Sequence, residues 1–467
     1  MISSPRGLSL LSLVLVAWNC GSGCRTYKNQ AAEMKSAWAS GHPDIAARDF
    51  EKRAKSEDGS RDEVVWDLEA GAAWRAAGGF TNSNMRFEAA RTRIEAYEKK
   101  AKVRVGQEAA ALMSNQQNLA YEGRDYDKIM LHTYRALNYL TLGDPDKARP
   151  EIIRAYQRQQ DAVEENAKRI EKARDDASKD PNKAKIEKAQ QDPKFNSQID
   201  QITKPLEGFR FYADYVNPFS VFLDGLYFKY AGVDSSDRER ARKSLARVAE
   251  IVPENQFIQA DLKDVEGTGA PASGVTYVIF ETGRGASLDQ LRIDIPIIVT
   301  SVSYVGAAFP RLEFHDDFCR TLMVRANDQE ERTALVGSMD AVIALEFRNA
   351  WPRILAKTIA STVAKGVAAY ALNEGAGKQD AIAGLIVRIA TAAAQAAVNI
   401  ADTRSWTSLP KEFQVARVNT PPGRVVNLSV PSGPATDVHL IDGSVNVVYV
   451  RSVSLATPLV ISQFKLK

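Results

Sequence analysis

The stretch "TYRALNYLTLGDPDKARPEIIRAY", residues 133–156, predicts two helices that pack against each other. Its apolar residues recur at offsets of three and four on both sides of the turn "LGDPDKA". Gly143, Asp144 and Pro145 in that turn are typical of a helix end that is followed at once by a new helix start. Residues 133–156 therefore predict a helical hairpin.

The same spacing of small and large side chains recurs in residues 69–97 and 222–255, and in a weaker form around Ala46 and Phe50. Small residues where two helices touch, with large apolar residues between them, are typical of the tetratricopeptide repeat. The predicted repeat-core residues are Gly71, Trp74, Phe87, Ala90, Ala136, Tyr139, Ala148, Ile152, Ala155, Gly225, Phe228, Ala241 and Leu245. Each hairpin alone could be an ordinary amphipathic one, but together they predict an α-solenoid over residues 24–265 with an exposed concave surface.

A charged insertion interrupts this pattern at about residues 157–204, which are rich in Lys, Glu, Asp and Gln. Tyr156, Val163, Ile170 and Ala177 recur every seven residues and would form a thin stripe on one helix face. Asp180-Pro181 would end that helix. The pattern leaves two alternatives open, a protruding helical hairpin and a flexible solvated segment.

Residues 266–274 read as a linker, because Gly, Ala, Pro and Ser accumulate there and periodicity vanishes. Residues 275–467 then contain strand-like runs rich in Val, Ile and aromatics, from "TYVIFETG" to "PLVISQFKL". An Ala-rich segment at about 352–402 predicts two helices joined by "NEGAGKQ"; Lys357, Lys365 and Arg388 in it argue against insertion into a bilayer. The predicted fold class is α+β, an N-terminal helical domain followed by a β-rich domain with a helical hairpin insert.

The N-terminus has the layout of an export signal. Arg6 precedes the apolar run Leu8 to Trp18, and small residues then lead to Cys24. This pattern predicts a lipoprotein signal peptide over residues 1–23 and a lipid on Cys24; cleavage without lipid and an uncleaved segment are the alternatives. More than one acyl chain holds a protein stably on a membrane. With Cys20 removed and Cys24 lipidated, Cys319 would have no disulfide partner.

The sequence predicts no catalytic residue, no metal site and no cofactor. His42, His132, His315 and His439 are scattered and form no local ligand set. In "HDDFC", His315 and Cys319 would share a face if the segment were helical, but a lone cysteine is more often a small buried residue. The formal net charge of +3, from 61 basic and 58 acidic residues, is too balanced for a nucleic-acid binder.

The segment "ADTRSWTSLP", residues 401–410, predicts a structural motif at the exit of the Ala-rich hairpin. Asp402 and Arg404 can form a charge-assisted hydrogen bond, and Trp406, ahead of Pro410, can plug the junction with the sheet. Contact with a ligand is the alternative.

At residues 121–149, 217–228 and 401–410 the chain resembles an uncharacterised family of bacterial envelope lipoproteins with tetratricopeptide-like N-terminal halves. The resemblance covers most of the mature chain and supplies no catalytic residues. It implies an outer-membrane lipoprotein that faces the periplasm, with exposure at the cell surface as the alternative, and that is associated with envelope assembly.

The predicted function is a lipid-anchored scaffold that binds other envelope proteins and is not an enzyme. The alternatives are an envelope enzyme acting on cell-wall material and a module that binds glycans or lipids.

Overall fold

The computed structural model describes residues 27–103, 119–179, 183–209, 212, 217–267, 274–299, 302–376, 401–431 and 433–467. The N-terminal part is helical and the sheets lie in the C-terminal part, so the predicted α+β order is confirmed at this level. The helices up to the first strand are α1 Tyr27–Ala39, α2 Pro43–Ser56, α3 Glu63–Ala76, α4 Phe80–Val103, α5 Asp125–Thr141, α6 Pro145–Lys179, α7 Lys183–Gln190, α8 Pro193–Glu207, α9 Pro218–Ala231, α10 Ser235–Ile251 and α11 Gln256–Glu266.

The strands follow in the C-terminal part of the sequence, which also contains one further long helix. They are β1 Val275–Thr282, β2 Ser287–Val299, β3 Val302–Glu313, β4 Met323–Ala326, β5 Gln329–Arg332, β6 Ala334–Ser338, β7 Glu412–Asn419, β8 Val425–Ser429, β9 Thr436–His439, β10 Val445–Ser452 and β11 Val460–Lys465, with α12 Met339–Ala376 between β6 and β7. The runs rich in Val, Ile and aromatics form the predicted strands. The short strands β4, β5, β6 and β9 were not predicted, because they lack such runs.

Side-chain caps start several helices at the residues where polar N-caps are favoured. Asn217, Asp234 and Asn255 accept hydrogen bonds from backbone N–H groups in the first turns of α9, α10 and α11. Asp192 does the same for α8, where Pro193 follows at the first helical position.

Successive helices pack in pairs: α3 with α4, α5 with α6, and α9 with α10. Neighbouring pairs also touch, through α2 and α3, α4 and α5, and α6 and α9. Two pairs depend on glycine for their close approach. A Cβ atom on Gly71 would lie 2.5 Å from Cε1 of Phe87, and one on Gly225 would lie 2.8 Å from Cγ of Leu245.

A five-stranded sheet in the order β11-β10-β1-β7-β6 forms the centre of the C-terminal part. β1 pairs in parallel with β10 and antiparallel with β7. β2 and β3 form a long hairpin, and β5-β4-β8-β9 form a second, four-stranded sheet. Every residue of β1 and β10 is buried, so both faces of the five-stranded sheet are covered.

One hydrophobic core runs from the helices into the sheets and includes residues from Tyr27 to Leu466. The first helix of each pair, α3, α5 and α9, is buried along almost its whole length. Phe219 of α9 stacks on Phe413 of β7 with 3.8 Å between ring centroids. The exposed concave surface expected from the sequence is therefore not open, because the sheet and residues 401–410 cover that side of the helices.

The described residues of the charged insertion are helical except at 191–192, between α7 and α8. α6 continues without a break through residue 179, and its side chains from residue 167 onward, where described, are exposed. α8 returns to the protein body, because its apolar residues Phe195, Ile202 and Leu206 pack against β2, β3 and α12 in a second core. The insertion is therefore not a hairpin that protrudes along its whole length.

The Ala-rich helix begins at Met339 rather than at Pro352, and Pro352 lies inside α12. Asp340 in its first turn accepts a hydrogen bond from the Ala286 N–H, and this stabilises the earlier start. The second helix of the predicted hairpin falls largely within 377–400, outside the described residues. Most of the predicted linker at 266–274 also lies outside the described residues. Among the helices that are described, none is both long and apolar enough to cross a bilayer.

Gly71→Ala should lower the free energy of unfolding by about 1–3 kcal/mol, the usual cost of overpacking a closed contact. Phe87 cannot move aside freely, because it is fully buried and packs on Tyr134 and Trp406. Gly208→Ala is the control: its φ is −73°, and no atom of the described residues lies within 4 Å of an added Cβ. Urea unfolding of the two variants measures the difference, and an equal effect of both would contradict the packing argument.

Candidate functional site

The predicted repeat-core residues lie at the helix contacts and are mostly buried. Trp74 and Tyr139 are the partly buried members, and the indole N–H of Trp74 donates to Glu51 at 3.1 Å. The fully or nearly fully buried members are Gly71, Phe87, Ala90, Ala136, Ala148, Ile152, Ala155, Gly225, Phe228, Ala241 and Leu245. These residues pack in separate helix pairs and do not converge on one site.

The segment 401–410 runs between the helices and the sheet, and Arg404 is its most enclosed charge, with 1% of its side chain exposed. Its guanidinium donates to both carboxylate oxygens of Asp402, at 2.8 and 2.7 Å. It also donates to Asp62 and to the Leu119 carbonyl, each at 2.8 Å. Arg404 thus ties this segment to the helical part of the chain.

Trp406 fills a space among aromatic rings of the helices. Its ring centroid lies 5.6 Å from that of Phe87 and 5.7 Å from that of Tyr134, and its N–H donates to Ser408 at 2.9 Å. Pro410 is buried just before β7, where the Gly285 N–H donates to the Leu409 carbonyl at 2.9 Å. The polar contacts named for Asp402, Arg404 and Trp406 are therefore all made inside the protein. Those of Arg404 join segment 401–410 to the helical part of the chain.

Glu346 of α12 caps the start of α5. Its carboxylate accepts from the backbone N–H groups of Asp125 and Tyr126, at 3.3 and 3.2 Å. Burial, and then the nearby charge of Asp125, raise the pKa of Glu346 to about 8. The N-terminus of the helix favours the charged form, but that effect is too small to restore an ordinary pKa.

A cavity of about 110 Å³ lies beside segment 401–410, where α1, α3 and α5 meet the edge of the five-stranded sheet. Its charged lining residues are Arg75, Glu281 and Arg451. The remaining lining residues are uncharged, and they are Trp38, Ala72, Ala76, Gly78, Phe80, Tyr134, Ser408, Tyr449, Val460, Ile461 and Ser462.

Glu281 and Arg451 are paired across β1 and β10 by the parallel register. Oε1 of Glu281 accepts from the Tyr134 hydroxyl at 2.8 Å, and Oε2 accepts from the Tyr449 hydroxyl. Nε of Arg451 lies 3.2 Å from Oε1 of Glu281. None of the three guanidinium nitrogens of Arg451, however, makes a hydrogen bond to any residue that the structure describes.

The third charged residue of the wall, Arg75, is held by cation–π contacts and a hydrogen bond. The guanidinium of Arg75 lies 4.6 Å from the ring centroid of Tyr449 and 5.3 Å from that of Tyr134, and it donates to Asn138 at 2.7 Å. Cation–π contacts of this kind fix the orientation of a guanidinium. The cavity therefore presents preoriented cationic groups.

Sequence reasoning missed Trp38, Arg75, Glu281 and Arg451. A signal was present, because Glu281 and Arg451 each interrupt a run of Val, Ile and aromatic residues typical of a buried strand. A charge in such a run is seldom buried unless it is paired, so the two runs together pointed to a buried ion pair.

The other predicted candidates stand apart from this cavity. Residues 315–319 are not helical; His315 bonds to Ser287 at 3.0 Å, and the buried Cys319 accepts from Ser452 at 3.6 Å, so the two are not paired. His132 is a buried partner of Glu151, at 2.6 Å. Within the described ranges, no group of His, Cys, Asp and Glu could hold a metal ion. Cys24 lies outside the described residues.

The described residues thus define a protein of mixed helix and sheet, in which N-terminal helical pairs share a hydrophobic core with a C-terminal five-stranded sheet. Comparison of the chain with protein-family models, with curated proteins and with solved structures gives no significant match.

The pKa of Glu346 predicts a pH dependence of stability. The pKa of Glu346 in the folded state, about 8, exceeds the ordinary 4.5, so the folded state keeps the proton to a higher pH than the unfolded state. Stability therefore falls as pH rises between these two values. Glu346→Gln keeps an acceptor for α5, and should remove at least about 1 kcal/mol of that loss. Urea unfolding of wild type and variant between about pH 5 and 9 measures it. Glu239→Gln, at an exposed site, should keep the wild-type slope, and parallel curves for wild type and Glu346→Gln would contradict the assignment.

Proposed function

We propose that the protein is a lipid-anchored scaffold of the bacterial cell envelope, which binds another envelope protein through its tetratricopeptide-like helices and catalyses no reaction. The observation that carries this proposal is the row of stacked helical pairs joined to the sheet by one core. The tight contacts at Gly71 and Gly225 are of the kind that the repeat requires. The core that the helices share with the five-stranded sheet holds these two parts together, which suits a scaffold.

The partner surface is placed on the outward side of the helices, since the sheet covers the other side. One outward element is α6, which has 35 residues and whose described side chains from residue 167 onward are exposed. Ion pairs hold α6 to the body in both halves: Arg158 lies 3.0 Å from Glu98, and Arg169, in the second half, contacts Asp125. Its second half carries Ile170 among charged residues, with 36% of the Ile170 side chain exposed. A long charged helix with an apolar stripe favours a helical partner.

The membrane tether is proposed at Cys24, on the signal-like sequence and on the position of the first described helix. Tyr27 at the start of α1 is 2% exposed, and its hydroxyl donates to Glu69 at 2.5 Å. The three peptide units from residue 24 to residue 27 span at most about 11 Å. A lipid on Cys24 would therefore hold the folded body close to the membrane surface.

Cys24→Ser should move the protein from the membrane fraction to the soluble fraction, because the variant can carry no thioether-linked lipid. Cell fractionation and mass spectrometry of the mature N-terminus measure this. Cys319→Ser is the control, since its buried thiol lies in the folded core; it should remain membrane-bound. An unmodified thiol on residue 24 of the membrane-bound wild type would contradict the tether.

A photoreactive amino acid at position 170 should crosslink the scaffold to another envelope protein in intact cells. The control position is Val233, which is 82% exposed in the turn between α9 and α10. Adducts of a defined larger mass from position 170 and none from position 233 would support a partner surface on α6. Identical adducts at both positions, or no adduct at position 170, would contradict it.

A further inference from the structure

We propose that the cavity between α1, α3 and the sheet edge binds a small monocarboxylate with a short apolar tail. The inference rests on the cavity alone, and it depends neither on the scaffold function nor on the lipid at Cys24. It is carried by buried hydrogen-bond donors that have no acceptor among the described residues, next to a space large enough for a small molecule.

The donors come from two residues that can only donate. Arg451 is 4% exposed, and its Nε, Nη1 and Nη2 make no hydrogen bond within the described parts of the chain. Trp38 is also 4% exposed, and its Nε1–H is likewise without an acceptor there. Both residues line the cavity, and the guanidinium carbon of Arg451 lies 5.9 Å from the Trp38 ring. Buried donors without an acceptor are costly, so a ligand with acceptor atoms would relieve that cost.

The charge of the wall selects an anion. Arg75 and Arg451 bring two positive charges, and Glu281 brings one negative charge whose oxygens already accept from Tyr134 and Tyr449. The lining is therefore net positive. A planar carboxylate matches the fork of N–H donors on a guanidinium, which binds both carboxylate oxygens at once.

The size and the apolar part of the wall define the rest of the ligand. Ala72, Ala76, Val460 and Ile461 give the cavity an apolar part of its lining. An apolar cavity of about 150 Å³ can hold benzene, so a cavity of about 110 Å³ suits a molecule the size of butyrate. Phosphate fits less well, because its oxygens would meet the apolar wall without partners.

The mouth of the cavity is formed by the turn between α3 and α4 and by the edge strand β11. Gly78 in that turn is exposed, and Ile461 and Ser462 of β11 are half-buried. A ligand can therefore enter from solvent without separating the helices from the sheet.

Isothermal titration calorimetry of the purified full-length mature chain tests the proposal with three probes: butyrate, its neutral isostere butyramide, and inorganic phosphate. Butyrate should bind with a dissociation constant of about 1 mM or tighter. Butyramide and phosphate should each bind at least about tenfold more weakly. Absence of butyrate binding, or equal binding of either other probe, would overturn the proposal.

Two matched variants test the donors. Trp38→Phe keeps a ring but removes the N–H, and should weaken butyrate binding about tenfold. Trp66→Phe removes an equally buried N–H that also lacks an acceptor in the described structure but does not line the cavity, and should leave binding unchanged. Equal effects of the two variants would overturn the proposal.

Arg451→Gln should abolish detectable binding. If the unpaired Glu281 prevents that variant from folding, the tryptophan pair still decides the outcome.

Discussion

Four hydrogen bonds end on the carboxylate of Glu69, which is fully buried in α3. They come from the hydroxyl of Tyr27 on α1, from the backbone and hydroxyl of Thr407, and from the backbone of Ser408. A buried carboxylate is tolerated only while such donors surround it, because its loss of hydration is otherwise uncompensated. The first helix, the helical pairs and residues 401–410 must therefore assemble together. The buried guanidinium of Arg404 likewise requires partners from another part of the chain, since it donates to Asp62 and to the Leu119 carbonyl in the helical part.

A second charged cluster also joins the helices to the sheet. Lys229 of α9 lies 2.8 Å from both Asp261 and Asp264 of α11, and Arg417 of β7 contacts the same two carboxylates. Tyr277 of β1 donates to Asp261 at 2.6 Å. Together with the aromatic packing, these charged contacts join the helices and the sheet into one packed body. The cavity beside Glu281 lies inside this body, so its cationic groups are held in place in advance of any ligand.

Local signals in the sequence predicted the elements of this fold better than their arrangement. Runs such as "TYVIFETG" and "SVNVVYVRSVS" formed strands, and the turn at Gly143 to Pro145 separated two helices. Arg404 and Trp406 were predicted as part of a structural motif from their sequence neighbours: Asp402 is two residues before Arg404, and Pro410 follows Trp406. The cavity was not predictable in this way. Its wall joins Trp38, Arg75 and Arg451, which meet only through the parallel pairing of β1 with β10 and the packing of helices on that sheet. Nor does periodicity reveal that the sheet closes over the first helix of each pair.

The central position of β1 has a consequence for how the chain is made. β1 follows the helices directly, but its neighbours β7 and β10 come from the last part of the sequence. Until residues 445–452 have been made, the sheet cannot form around β1, and the apolar side chains that α3, α5 and α9 pack against it are not yet covered by it. Pairings of such high sequence separation form slowly and leave intermediates prone to aggregation. The helices therefore cannot complete their packing on the sheet until the final strands have been made.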